Sequence, residues 1–219
     1  MRHVLNMIPP LGLAWIAASI RDLCETRIMD CSKRTRDEFQ STLRHMRPDI
    51  VGITCTTPTY PISLEMAKTI RKSCPKAIIV IGGPHVSAVP EISLDGFDVG
   101  VIGEGEMTFR ELCSHYPDID SMRKTPGTAH RIGDRIIMNA PRPPVDDLDV
   151  LPLPAWDMLA PLSEYRPTPA SFRRLPYAHV MTSRGCPSHC TFCDRGVFGS
   201  SYRERSAANV LDEIDLLMR

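Results

Sequence analysis

Ala77-Ile78-Ile79-Val80-Ile81-Gly82-Gly83-Pro84-His85 is the stretch that decides the fold. Five apolar residues in unbroken succession leave no polar face for water. Such a run suits a strand of a parallel sheet covered on both sides. The glycines and proline that follow stop the strand and turn the chain. Outward from this point, strand-like and helix-like patterns alternate. Val4 to Ile8, Thr26 to Met29, Asp49 to Thr54 and Asp98 to Ile102 read as further strands. Helical spacing marks Pro10 to Leu23 (Leu13, Ile16, Ala17, Ile20), Arg36 to Met46 (Phe39, Leu43, Met46), Ile62 to Ser73 and Thr108 to His115. The alternation predicts an α/β domain of the doubly wound, Rossmann or flavodoxin-like kind, with about five strands.

Ligands of such domains bind beyond the carboxyl ends of the strands. Four segments fall there: Pro9-Pro10-Leu11-Gly12, Cys55 to Tyr60, Gly82 to Ser87, and Gly103 to Glu106. Small residues, turns and hydroxyls dominate all four, as a binding rim requires. Thr56, Thr57 and Thr59 can donate to a ligand or serve ordinary turn chemistry. His85 can meet a ligand or cap the next helix. Glu104 and Glu106 can bond a ligand or favour the positive end of the helix near Thr108, with capping the preferred reading.

Thr128 to Asn139 reads as a hairpin turning at Gly133-Asp134. A proline-rich connector spans residues 141–176, and Tyr177 to Thr182 reads as a new strand. A cysteine-rich loop follows, then an amphipathic helix from Ala207 to Met218. The expected organisation is therefore an α/β domain over 1–140, the connector, and a third region over 177–219.

Composition narrows the function classes. The 219 residues carry 26 Lys+Arg and 26 Asp+Glu, so no net field draws the chain to nucleic acid or anionic lipid. Arg2 and the apolar stretch to Ile20 resemble a secretory signal only superficially, because Pro9, Pro10 and Gly12 interrupt it. The stretch is also too broken to span a bilayer. No membrane is expected, and a reduced, cytoplasmic chain fits the cysteine usage. Cys24, Cys31, Cys55, Cys74 and Cys113 are scattered and default to small buried apolar residues, with Cys55 on the rim.

The other three cysteines are bunched in Ser183-Arg184-Gly185-Cys186-Pro187-Ser188-His189-Cys190-Thr191-Phe192-Cys193, with the spacing C-x3-C-x2-C. Three thiolates on one tight loop can hold three irons of a cubane cluster and leave the fourth iron open to a ligand. Gly185 permits a sharp exit from the strand and Pro187 stiffens the loop. A structural zinc site with His189 as fourth ligand is the alternative, disfavoured by the crowding of His189 against Cys190. Arg184, Arg195, Arg203 and Arg205 make the loop basic, which favours thiolates unless the arginines are simply solvated.

The cysteine spacing, with Phe192 before the last cysteine, resembles the signature of radical S-adenosylmethionine (radical SAM) enzymes. That resemblance implies a 4Fe-4S cluster on Cys186, Cys190 and Cys193, with Phe192 beside the adenine of S-adenosylmethionine. It implies chelation of that cosubstrate by the open iron and its reductive cleavage to a 5′-deoxyadenosyl radical. Pro9-Pro10-Leu11-Gly12-Leu13-Ala14, Thr56-Thr57-Pro58-Thr59, Gly82-Gly83-Pro84-His85 and Gly103-Glu104-Gly105-Glu106 resemble the cobalamin-binding domain that precedes the cluster domain in one large class of these enzymes. Cobalamin would then lie across the strand ends, contacted by Pro10, Leu11, Gly12, Thr56, Thr57, Pro58, Thr59, Gly82, Gly83, His85, Gly103, Glu104 and Gly105. No D-x-H-x-x-G segment is present, so no histidine ligand to cobalt is expected. The cluster region is expected to be only the first βα unit of a partial barrel, as in a fragment or a degenerate protein.

The resemblance implies radical methyl transfer to an unactivated carbon of a small molecule, with a donor such as flavodoxin or ferredoxin supplying electrons. Ring rearrangement or cyclisation stays open within that class, and two alternatives stay open outside it: a non-catalytic cofactor-binding module and a zinc-stabilised α/β interaction protein.

Overall fold

The computed structural model describes residues 8–218, so the expected strand from Val4 to Ile8 lies largely outside the described residues. The chain forms two compact units that interleave along the sequence. One comprises residues 35–146 and 185–202; the other comprises residues 1–34, 147–184 and 203–219.

The first of these is the α/β unit. Its elements are α2 (Arg36–Met46), β1 (Ile50–Thr54), α3 (Tyr60–Ser73), β2 (Ile78–Gly82), α4 (Pro84–Ala88), β3 (Val99–Val101), α5 (Glu106–His115), α6 (Ile119–Lys124), β4 (Thr128–Ile132) and β5 (Arg135–Met138). They surround one five-stranded sheet of order β1-β2-β3-β4-β5. β1, β2 and β3 run parallel, with Gly52 opposite Val80 and Val80 opposite Val99. β4 returns antiparallel to β3, and β5 closes the hairpin at the edge.

The pattern of side chains explains the layers. Ile78, Val80, Val99 and Val101 point to one face, where Leu112 of α5 and Met122 of α6 join them. Ile79 and Ile81 point to the other face and are fully buried. On that side Gly100 lies so close to Leu94 and Val86 that an added Cβ would stand 2.4 Å from Leu94 Cδ2. Burial of both faces is what the continuous apolar run demands. α2 starts from a capping box, in which Glu38 N–H donates to Thr35 Oγ1 (3.3 Å) and Thr35 N–H donates to Glu38 Oε2 (2.7 Å).

The second unit contains α1 (Leu11–Ile20), β6 (Ser183–Arg184), β7 (Arg203–Glu204) and α7 (Ala207–Met218). α1 buries seven of its ten residues, including Trp15 and Ala17, so its apolar surface is wider than the stripe read from periodicity. Ala155 N–H donates to Ala14 O (3.0 Å) and Ala155 packs against Ala17 and Ala18, which pins the proline-rich connector to this helix. β6 and β7 form a short antiparallel ribbon.

The structure departs from or adds to the expectations at four points. Thr26–Met29 has no strand pairing among the described residues, and Ile28 packs beside Ala17 and Ala18. Tyr177–Thr182 pairs with nothing as a strand, and the ribbon begins at Ser183. The hairpin at Gly133-Asp134 forms as read, but it extends the main sheet. Cys24 is exposed, while Cys55 and Cys74 are buried.

Candidate functional site

The carboxyl ends of β1, β2 and β3 meet a rim built from three turns. After β1, Cys55 is buried, its N–H bonded to Gly82 O (3.0 Å), and its O accepts His85 N–H (3.2 Å). These bonds hold the β2 turn against the β1 turn. Gly83 makes the approach possible: at φ +98° an added Cβ would sit 2.7 Å from Thr54 Oγ1 and 2.9 Å from Cys55 O. Ser87 ties in the third turn, its Oγ donating to Gly83 O (3.1 Å) and accepting Gly103 N–H (3.0 Å).

His85 is at the centre of this rim, 5% exposed. Its Nδ1 lies 3.1 Å from Thr57 Oγ1, and the Tyr60 ring covers it at 4.3 Å between centroids. Tyr60 is itself anchored, its hydroxyl donating to Ile92 O (2.9 Å). His85 Nε2 is buried and has no hydrogen-bond partner. A buried polar atom of this kind costs stability unless a ligand or water meets it.

The other rim threonines resolve into turn chemistry. Thr56 N–H donates to Thr59 Oγ1 (2.9 Å), whose hydroxyl donates back to Thr56 O (3.1 Å). Thr57 and Pro58 remain exposed. Glu104 Oε2 accepts Val145 N–H (3.2 Å), so this carboxylate fastens the connector, and Glu106 is buried as the first residue of α5. Pro10, Leu11 and Gly12 belong to the other unit, where they open α1 with Leu11 buried and Gly12 exposed.

The cysteine loop, residues 185–202, is part of the α/β unit. Its entry depends on Gly185 (φ +78°), where an added Cβ would stand 1.9 Å from Ser201 O. Cys186 N–H donates to Gly199 O (3.4 Å), and Cys193 N–H donates to Cys190 O (3.1 Å), closing the turn across Phe192. All three cysteines are exposed, unoxidised thiols, and Phe192 is 91% exposed. Among the described residues no three His, Cys, Asp or Glu side chains are gathered as a metal site. The loop therefore supplies the donor set but not a preformed cage, and a metal would itself draw the ligands together. Hydrogen bonds from Ser188 and the charge of Arg195 hold the Cys186 thiol below the ordinary thiol range.

Past the cysteines, the loop lies on the rim. A Cβ at Gly196 would stand 3.4 Å from Ser87 O, and one at Gly103 would stand 3.7 Å from Val197 O. Arg195 Nη1, on the same loop, is buried with no hydrogen-bond partner among the described residues.

Three of the four arginines expected to bathe the loop in positive charge are structural. Arg184, Arg203 and Arg205 are 4%, 7% and 6% exposed. In the unit containing α1, the guanidinium carbons of Arg184 and Arg205 each lie 5.3 Å from the Trp15 ring centroid. Arg205 also pairs with Glu213, whose other carboxylate oxygen accepts Trp156 Nε1–H (2.9 Å). A local reading of charge had no means of finding these partners on α1 and α7.

A B12 binding domain matches residues 1–113 of the sequence. The chain belongs to the B12-binding domain family. The methyltransferase PH0819 of Pyrococcus horikoshii is 33% identical to it, over 95% of this chain and 46% of its own length. The hopanoid C-3 methylase of Methylococcus capsulatus is 30% identical over 96% of this chain and 41% of its own length. The chain thus spans less than half the length of these relatives. Among solved structures, the radical S-adenosylmethionine methyltransferase TsrM from Kitasatospora setae, with cobalamin and a 4Fe-4S cluster bound, superposes with a TM-score of 0.70 at 22% identity, covering 98% of this chain and 44% of that one. The cobalamin-dependent S-adenosylmethionine radical enzyme OxsB gives 0.77 at 22% identity, over 95% and 29% of the two chains. These likenesses agree with the α/β fold expected from the sequence. No described helix is long and apolar enough to cross a membrane.

Proposed function

We propose that the chain is the cobalamin-binding and cluster-bearing part of a radical S-adenosylmethionine methyltransferase that methylates an unactivated carbon of a small molecule. The rim of Thr57, Gly83, His85 and Gly103 holds the corrin, and Cys186, Cys190 and Cys193 hold a 4Fe-4S cluster. When bound, these groups supply the methyl group and the electron that cleaves the cosubstrate. The chain's own residues bind and orient: Gly83 lets the turns close, Thr57 and Tyr60 fix the His85 ring, and Ser188 favours the Cys186 thiolate.

One observation carries this reading. A rim within the B12-matched residues, with a buried histidine whose Nε2 has no partner among the described residues, and a C-x3-C-x2-C loop occur in one compact unit, with the loop resting on the rim at Ser87 and Gly103. Relatives at 33% and 30% identity that are named as a methyltransferase and a methylase support the reaction class.

Anaerobic reconstitution with iron, sulfide and hydroxocobalamin tests the reading by visible and electron paramagnetic resonance spectra. The expected result is bound corrin absorbance and a cubane signal that changes when S-adenosylmethionine is added. Cys190→Ala should abolish cluster formation and leave corrin absorbance in place. Corrin without any cluster in the unaltered chain would favour a non-catalytic cobalamin module. One zinc per chain and neither chromophore would overturn the proposal.

A further inference from the structure

Two buried nitrogens lack partners where the cysteine loop meets the rim: His85 Nε2 and Arg195 Nη1. They arrive from different directions. His85 belongs to α4, at the end of β2, and its ring is fixed by Thr57 and Tyr60. Arg195 stands two residues past Cys193 on the loop. The next residue, Gly196, has Ser87 O 3.4 Å from its Cβ position, and Ser87 is two residues past His85. The loop thus brings the residues that follow Arg195 to the rim on which the corrin reading rests, while the Arg195 charge also acts on Cys186.

Chemistry narrows what Arg195 seeks. A guanidinium has only donors and is always charged, so Nη1 asks for an acceptor oxygen. Burial without one is costly. His85 Nε2 is a second unpaired position, on the rim itself, in either tautomer. One unmet polar atom thus lies on the rim and the other on the loop that rests against it.

We propose that Arg195 is a corrin-binding residue: carried by the cluster loop, it works with His85 to hold an acceptor oxygen of the corrin at the α/β rim. This rests on the reading of the rim as a cobalamin site. It gives the cluster loop a part in cobalamin affinity before any iron is present. Two oxygen sources share the required chemistry, the amide carbonyls at the edge of the corrin ring and the phosphate of its nucleotide tail.

The test uses the full, cluster-free chain titrated with hydroxocobalamin and, separately, with cobinamide, which keeps the ring amides and lacks the nucleotide phosphate. Arg195→Gln should weaken hydroxocobalamin binding by about tenfold or more, the loss expected for one charge-assisted hydrogen bond. Arg195→Lys should retain part of the affinity. Gly196→Val keeps the guanidinium but presses branched methyls towards Ser87 O, and should weaken binding in the same direction. Arg173→Gln, at an exposed position in the connector, should leave it unchanged. Far-ultraviolet circular dichroism checks that each variant folds; if Arg195→Gln does not, Gly196→Val and Arg195→Lys decide. A matching loss for cobinamide assigns the oxygen to a ring amide, and a loss confined to hydroxocobalamin assigns it to the phosphate. Equal hydroxocobalamin affinity in the unaltered chain and the folded Arg195 and Gly196 variants would overturn the proposal while leaving the corrin site standing. Failure of the unaltered chain to bind either corrinoid would overturn the corrin reading and the inference with it.

Discussion

Replacing Glu213 by alanine should cost the α1–α7 unit about 3 kcal/mol, the low end of the range for breaking one side of a buried ion pair. The two side chains of the Arg205–Glu213 pair are 1% and 0% exposed. Both carboxylate oxygens are occupied, one by Arg205 and the other by Trp156 Nε1–H at 2.9 Å. Alanine leaves a guanidinium charge buried. It is not wholly stranded, because Arg205 still donates to Asn209 Oδ1 (2.6 Å), Asn209 O (3.0 Å) and Met181 O (3.1 Å). Those retained bonds place the expected cost low in the range. Domains of this kind have about 5–15 kcal/mol to lose, so the change is large. The assay is urea unfolding under reducing, anaerobic conditions followed by tryptophan fluorescence. Both tryptophans, Trp15 and Trp156, lie in this unit, so the signal reports it selectively. Asp157→Ala provides the comparison: it removes the Arg21–Asp157 pair, 44% and 69% exposed, and should cost at most about 1 kcal/mol. The double change Arg205→Met with Glu213→Leu should recover most of the loss, since apolar residues of similar volume replace buried pairs at little cost. A Glu213→Ala effect no larger than that of Asp157→Ala would refute the reasoning.

Further predictions concern the two glycine turns and the sheet. Gly185→Ala forces a Cβ to within 1.9 Å of Ser201 O at φ +78°, so iron incorporation on reconstitution should fall sharply while the far-ultraviolet spectrum stays near that of the unaltered chain. Gly83→Ala meets Thr54 Oγ1 and Cys55 O at a positive φ and should lower thermal stability by an amount equivalent to about 1–3 kcal/mol, together with hydroxocobalamin affinity. Burial, aided by the charge of Arg123, holds His130 below the ordinary histidine range. The unfolded chain then takes up that proton at higher pH than the folded one. The His130 contribution is full above about pH 6.5 and is lost as pH falls through the folded value. Denaturation midpoints measured down to pH 5 should therefore drop less steeply for His130→Gln than for the unaltered chain.

The parts of the fold that were legible are those whose cause is local. Ile78–Gly82 announces itself because a strand buried on both faces has no polar position. Arg36–Met46 and Ala207–Met218 show helical spacing, and Thr35 with Glu38 adds a start signal. Ile119–Lys124 also had its signal: Asp118 Oδ1 accepts Asp120 N–H (3.0 Å) and Ser121 N–H (3.2 Å), an acidic cap visible in the sequence and not used. Thr26–Met29 failed for a different reason. A strand exists only with a ladder partner, and among the described residues these four have none. The same dependence on distant pairing hid the attachment of the hairpin to the main sheet, which rests on Gly100 opposite Ala129.

The site divides along the same line. Three cysteines at fixed spacing on one loop are a local feature, and so are Gly83-Pro84-His85 and Gly185. The burial of His85 under Tyr60 and the stacking of Arg184 and Arg205 on Trp15 are not local. They decide chemistry nonetheless. Arg184 and Arg203 form the two strands at the foot of the cysteine loop, and Arg205 N–H donates to Thr182 O (2.9 Å) just beside them. Two of the guanidinium groups read from the sequence as a field around the thiolates lie instead against Trp15, and that of Arg205 also pairs with Glu213. Arg195 is the exception that a charge count could not single out. Of the four arginines it alone lies within the loop itself, in the same compact unit as the rim. The cysteines therefore tell which cluster the loop suits, and the long-range packing tells which arginine can act on a ligand.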